Sequence, residues 1–315
     1  MSITCCENHK TESLTINGIL KTDPTRTLFT RKRFVTEMNK RFAHLKKRVK
    51  EGIVVEGRLL KNAFVPFPII NTPIDWASRY DPDKIPDFMD WLTEQNERFI
   101  LSKGQAGLEI IGQKERWTDL YIRSAYQKGV ARARAELRKG GMDIPSFESR
   151  LIGGDGDPFG LGGVFSQPFH ADRVRFVYTQ TYEGLKGITK AMDAPISRIL
   201  AEGMAQGRNP KEIAKSVSER IDKIGLTRAR TLARTEVIRA HHNANINEYE
   251  RAGIEGVTVK AEWVTAGFNV CVLCQANEGR VFTLKDIRGL IPLHPSCRCV
   301  ALPIVPSDKK FKKKN

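Results

Sequence analysis

Cys271-Val-Leu-Cys274 and, after a loop, His294-Pro-Ser-Cys297-Arg-Cys299 constrain this chain more than any other stretch. Two close cysteine pairs with a histidine beside the second are the way a polypeptide offers ligands to one metal ion. A Cys-x-x-Cys turn supplies two thiolates from one side, and a distant segment closes a tetrahedral shell. Five candidates, Cys271, Cys274, His294, Cys297 and Cys299, compete for four places. If Cys297 and Cys299 lie on extended chain their side chains share a face, so both could ligate, with His294 outside the shell or replacing one of them. Unrelated buried thiols have no reason to gather at chelating spacing. A disulfide pair is expected in secreted proteins, and the start Met1-Ser-Ile-Thr-Cys5-Cys6 shows no basic region followed by an apolar run. The expectation is a structural Zn2+. A catalytic zinc keeps a position open, which four such ligands would fill, and the His-x-Glu of the zinc deaminases does not precede Cys271. Cys5 and Cys6 stand too far away in sequence to be counted.

Charge is the second signal. The 315 residues carry a formal net charge of +16, unevenly placed. Within residues 31–50, Arg31, Lys32, Arg33, Lys40, Arg41, Lys46, Lys47, Arg48 and Lys50 face a single acid, Glu37, and the tail carries Lys309, Lys310, Lys312, Lys313 and Lys314. Such density attracts phosphate by releasing counterions, which marks these residues as candidate nucleic-acid contacts; acidic proteins and membrane surfaces are the other partners it suits. No apolar run is long enough to span a bilayer.

The length allows about two domains. Residues 1–150 read as a mostly helical N-terminal region. Phe34, Met38, Phe42, Leu45 and Val49 recur at helical spacing within the basic segment 31–50. Residues 62–90, with five prolines, read as loop or extended chain. Helices are predicted over 87–103 and 114–139, the latter presenting Trp117, Leu120, Tyr121, Ser124 and Ala125 on one face and ending at Gly140-Gly141. Residues 151–163, LIGGDGDPFGLGG, form a Gly-rich linker; they lack the Gly-Lys-Ser/Thr ending of a phosphate-binding loop. Beyond it, Val174, Val177, Tyr178, Thr181, Leu185, Ile188 and Met192 mark one helix and residues 195–206 another. Asn209, Pro210 and Glu212 supply an N-cap, a first-turn proline and a capping carboxylate for a third. The pair joined at Gly207 reads as a helical hairpin rather than a DNA-reading helix-turn-helix.

From Thr227 to about Arg251 a helix carries Ala229, Ala233, Val237, Ala240 and Ala244 on a small face, with Arg228, Arg230, Arg234 and Arg239 off it. Glu236, close to that face, calls for an arginine or backbone partner. His241-His242-Asn243 invites comparison with His-Asn-His nucleases but lies inside the helix with no hairpin before it, so these residues read as exposed polar positions. Val257–Val264, Val281-Phe282 and Val300–Val305 read as short strands. The fold class expected is α+β: a mostly helical N-terminal half, then a C-terminal module of helices followed by a small sheet with a Cys/His site on its loops.

The order Arg228-Ala-Arg-Thr-Leu-Ala-Arg234-Thr235-Glu236-Val, a strand with Trp263, then Cys271-x-x-Cys274 and His294-Pro-x-Cys297-Arg-Cys299, resembles the minor head protein family of tailed phages typified by the F protein of phage Mu. The resemblance covers residues 164–306, leaving 307–315 as a basic tail. It implies a virion component inside the procapsid, assembled in the host cytoplasm. Its implied partners are the portal protein, a scaffold or major capsid protein, and double-stranded DNA bound without regard to sequence. No catalytic constellation is expected. The alternative is an enzyme of infection: a metal-dependent nuclease using His241, His242 or Glu236, or an ADP-ribosyltransferase-like enzyme, since that fold has been suggested for the family's C-terminal module.

Overall fold

A computed structural model describes residues 15–16, 19–20, 23–61, 74–102, 109–110, 113–114, 116–144, 168–254, 259–267 and 270–305. Cys5, Cys6, the linker 151–163 and the lysines of the tail lie outside the described residues. The helices are α1 (Leu28–Val54), α2 (Lys84–Phe99), α3 (Asp119–Lys139), α4 (Pro168–Ala205), α5 (Pro210–Arg220), α6 (Thr227–Ile254), α7 (Val272–Gln275) and α8 (Leu284–Ile287). Two-residue ribbons pair β1 (Thr15–Ile16) with β2 (Ile19–Leu20) and β3 (Glu109–Ile110) with β4 (Gln113–Lys114). The larger sheet contains β5 (Lys260–Val264), β6 (Val281–Thr283) and β7 (Val300–Ile304). Together these make the α+β fold expected from the sequence, mainly helical with its sheet at the C-terminal end. No described helix is long and apolar enough to cross a membrane.

The chain forms two compact units that alternate along the sequence: residues 1–34, 108–181 and 231–315 make the first, and 35–107 and 182–230 the second. In the second unit the stripe predicted on α1 is the core. Met38, Phe42, Leu45 and Val49 are buried, as are Leu185, Met192, Ile196, Leu200, Ile213 and Val217. At Gly225 a Cβ would sit 2.5 Å from Met192 Sδ and 2.6 Å from a Phe42 ring carbon, so only glycine admits this approach. Gly225 belongs to a π-helical turn, Ile221–Leu226, that joins α5 to α6. Asn209 starts α5 as expected: its side chain accepts from the Lys211 amide at 2.9 Å, and Glu212 reaches back to the Asn209 N–H at 3.3 Å.

Three readings need correction. Residues 172–192 and 195–206 are not two helices but parts of α4, which continues through Pro195; Met192 and Ile196 on either side of the proline are fully buried, and that packing offsets the lost backbone hydrogen bond. The α3 face differs from the one predicted. Leu120 is exposed, whereas Ile122, Tyr126, Val130, Ala133 and Leu137 join Ala125 in the core. Helix α2 begins at Lys84, with Pro86 inside its first turn.

The first unit carries the sheet, in the order β6-β5-β7, antiparallel throughout. Lys260 pairs with Thr283 on one side and Ile304 on the other, and the β5–β7 register runs on to Val264 opposite Val300. Alternation buries Ala261 and Trp263 on one face of β5. That face joins Ala133 and Leu137 of α3 and Ile238, Ile246, Tyr249 and Ala252 of α6 in one core, which also includes Cys274, Cys297 and Cys299.

Candidate metal centre

Helix α7 exists to present the first cysteine pair. Cys271 is its N-cap, with Sγ accepting from the Cys274 amide at 3.4 Å. This turn places both sulfurs on one side, 3.2 and 3.1 Å from His294 Nε2. The ring's other nitrogen, Nδ1, lies 2.9 Å from the Pro295 carbonyl. Donation of Nδ1–H there leaves the Nε2 lone pair facing the sulfurs, the tautomer a metal-binding imidazole needs. Cys274 Sγ is in turn 3.8 Å from Cys297 Sγ.

The cluster is two triads sharing Cys274: Cys271, Cys274 and His294, and Cys274, Cys297 and Cys299, the ligand atoms of each lying within 4.8 Å of one another. A tetrahedral ion with bonds of about 2.3 Å to sulfur requires sulfurs roughly 3.8 Å apart, as found between Cys274 and Cys297. All five candidates are thus gathered at one place, and the group can hold a metal ion. Among the described residues the four cysteines are free thiols and no disulfide joins them.

Charge within the cluster points the same way. Hydrogen bonds from Cys274 and Cys299 hold the Cys297 thiol far below its ordinary range, and the same contact with Cys297 pushes Cys274 up. These contacts favour the charge on Cys297 and the protons on its neighbours. A divalent cation would draw those protons off. Cys299 is pushed up too: its contact with Cys274, and more weakly the buried indole N–H of Trp263, favour the charged form, but the contact with Cys297 and burial outweigh them.

Helix α6 supports this loop with side chains the sequence reading did not assign. Thr235 Oγ1 accepts from the Ser296 amide at 3.0 Å, holding the turn in which Ser296 takes a φ of 62°. His242 Nε2 lies 3.2 Å from the Ile287 carbonyl, and Tyr249 OH donates to the Ala301 carbonyl at 3.2 Å. His241 and His242 are not exposed polar positions; both are buried. Burial, with the charge of Arg132 adding to it, lowers His241 well below its ordinary range. Burial, only partly opposed by the Ile287 carbonyl, takes His242 down to about 4. Glu236 is buried against Arg239, and burial outweighs that partner to raise its carboxyl. The small face of α6 is as predicted, with Ala229, Ala233, Val237, Ala240 and Ala244 all buried.

A second polar group in the first unit had no obvious signal in the sequence. Glu248 on α6 meets Arg134 Nε at 2.7 Å and His170 Nε2 at 2.8 Å. His170 Nδ1 is 3.1 Å from Tyr126 OH, which accepts from the Asn247 amide at 2.9 Å. All five side chains are buried. Burial pushes Glu248 up, but His170 and Arg134 outweigh it and hold the carboxyl below its ordinary range. Their positions, spread from 126 to 248, carry no local pattern.

The basic residues of α1 are not one face. Arg31 is buried and paired with Asp23 at 2.8 Å. Arg41 reaches Glu37, the Phe99 carbonyl and Ser102 Oγ, Lys46 pairs with Asp222 at 2.8 Å, and Arg48 with Glu51 and Glu56. Lys32, Arg33, Lys40, Lys47 and Lys50 are exposed.

Residues 194–302 match the family described as Phage Mu protein F like protein. This segment, about a third of the chain, is similar to that family. It contains α5, α6, β5, β6, the first residues of β7 and all five candidate ligands, and it points to a phage head protein. No curated protein and no solved structure matches the chain significantly.

Proposed function

We propose that this chain is a minor head protein of a tailed phage, built into the procapsid interior near the portal during assembly in the host cytoplasm, and structural rather than catalytic. The observation that carries this reading is the family match over residues 194–302, with a complete Cys/His cluster built into the matched segment. In this reading the cluster holds one structural Zn2+, the metal that thiolate and imidazole ligands at tetrahedral spacing suit best. Cys274 belongs to both triads, and the other three ligands come from Cys271, His294, Cys297 and Cys299. When bound, the ion supplies folding free energy to a small sheet. Exposed Lys32, Arg33, Lys40, Lys47 and Lys50 supply non-specific contact with packaged double-stranded DNA, and the net positive charge suits an acidic portal, scaffold or major capsid surface. The nuclease and ADP-ribosyltransferase readings draw no support from His241, His242 and Glu236, which are buried and serve the packing of α6.

Location in the particle is the test. Cross-linking and mass spectrometry of purified procapsids should recover this chain attached to portal or inner-shell peptides; its absence from particles, with the chain remaining soluble in the lysate, would reject the proposal. Replacing the five exposed basic residues by Gln should weaken duplex DNA binding and reduce its salt dependence. Unchanged affinity assigns those charges to a protein partner.

A further inference from the structure

Away from the metal module, the first unit contains a buried group of cations with too few acceptors. Helices α3 and α6 cross at Gly129, where a Cβ would lie 2.5 Å from the His241 carbonyl and 2.6 Å from Ala244 Cβ. Lys128 and Arg132 flank that crossing. Lys128 Nζ donates to Thr30 Oγ1 at 2.6 Å, which brings in the first turn of α1 and with it Arg31. The charges of Arg132, Lys128 and Arg31 all act on the His241 ring.

The acids nearby are already committed. Asp23 accepts from Thr25 Oγ1 and from the Leu28 amide, both at 2.6 Å, and pairs with Arg31. Glu136 stands 3.9 Å from Arg132 Nε and is shared with Lys139. What remains is a set of buried donors with no hydrogen-bond partner: Arg31 Nε, Arg132 Nε and Nη1, and His241 Nε2. Asn245 Nδ2 lies 3.5 Å from His241 Nδ1, so the hydrogen of the neutral ring sits on Nε2, another donor. His241 is 1% exposed, and the side chains of Arg31 and Arg132 are 9% and 12% exposed. Folded proteins rarely leave such groups unmet, because each forgoes its water without replacement.

We propose that Arg31, Lys128, Arg132 and His241 form a binding site for a small phosphate-type oxyanion. Two guanidinium forks suit an ion with several acceptor oxygens on one centre, and the three cations outnumber the two acids, Asp23 and Glu136, beside them. Burial limits the ligand to free phosphate or a terminal phosphomonoester; the sugar-phosphate run of a duplex is too bulky. Lys128 and Arg132 are only partly buried and give the ion its approach.

Equilibrium dialysis of the full chain against inorganic phosphate, at ionic strength held constant with chloride, tests this. One phosphate per chain should bind saturably, and Arg132→Met should weaken it at least tenfold, while Lys215→Met, at an exposed position of α5, should not. If Arg132→Met fails to fold by circular dichroism, Lys128→Met, on a less buried side chain, carries the test. Competition by a 5′-phosphorylated oligonucleotide but not its 5′-hydroxyl form identifies a phosphomonoester end as the source; displacement by neither identifies free phosphate. Absence of saturable binding, or binding unchanged in the folded variant, overturns the proposal.

Discussion

Helix α1 brings Met38, Phe42, Leu45, Val49 and Ile53 into the second unit, each buried to within 1% of its surface. The sheet of the first unit has far less to offer: β5 and β7 bury Ala261, Trp263, Val300, Ala301 and Ile304, and β6 buries none of its three residues. Long helices collect apolar area at every third or fourth residue, so burial at about 25 cal/mol per Å2 suffices to close them. A three-stranded sheet of three to five residues per strand does not gather enough. There the chain spends cysteines, and three of the four in the cluster are themselves counted in the core. In the module the candidate ligands are part of the packing, whereas in the second unit the core is built from apolar helix faces.

The sharpest way to break this contrast is to remove the metal ligand shared by both triads. Cys274→Ser should abolish metal binding, measured as about one metal per chain in the wild type, and should collapse the near-UV signal of Trp263, because apparent zinc-binding free energies of roughly 10–16 kcal/mol in small modules are also folding free energies. Far-UV helicity should survive in large part; a metal-free protein folded as well as wild type would remove the contrast altogether. Phe42→Ala should do the reverse, costing about 3–5 kcal/mol through the cavity it opens while metal content stays unchanged.

Titration separates the regions again. His242, buried at about 4 in the fold against roughly 6.5 when unfolded, binds its proton more readily in the unfolded chain. Its contribution is therefore complete above about pH 6.5 and is lost as pH falls toward 4, by up to about 3 kcal/mol. Denaturant unfolding across that range should show a shallower pH dependence in His242→Gln than in wild type, with His241 accounting for part of what remains; identical slopes would mean the ring is solvated. The smallest effect belongs to Asn209→Ala. Loss of the capping box should lower stability by about 1 kcal/mol with no change in metal content, as read from denaturation midpoints.

Much of this was legible beforehand because it is periodic or local. The α1 stripe, the small face of α6, the Asn209 cap and the five gathered ligands all follow from spacing. Pro195 misled because its cost is local while the compensation, Met192 and Ile196 in a distant core, is not. Leu120 was placed on the wrong face of α3 because the sequence around it offers aromatic and small residues on several sides, and only the crossing at Gly129 decides which is covered. His241 and His242 looked like surface residues for a similar reason: nothing within the helix announces that Ile287 and Arg132 will meet them.

The Glu248 group has a practical consequence for the matched segment. Residues 194–302 include Glu248 and Asn247 but neither Arg134, Tyr126 nor His170. Excised at those limits, the fragment would keep a carboxylate buried in a dry interior and lose both of its side-chain partners, together with the α3 side chains that share a core with Trp263 and Tyr249. The stretch that is inherited as a recognisable block is therefore smaller than the stretch that can stand alone in water, and any attempt to transplant or express it must bring α3 and the start of α4 along.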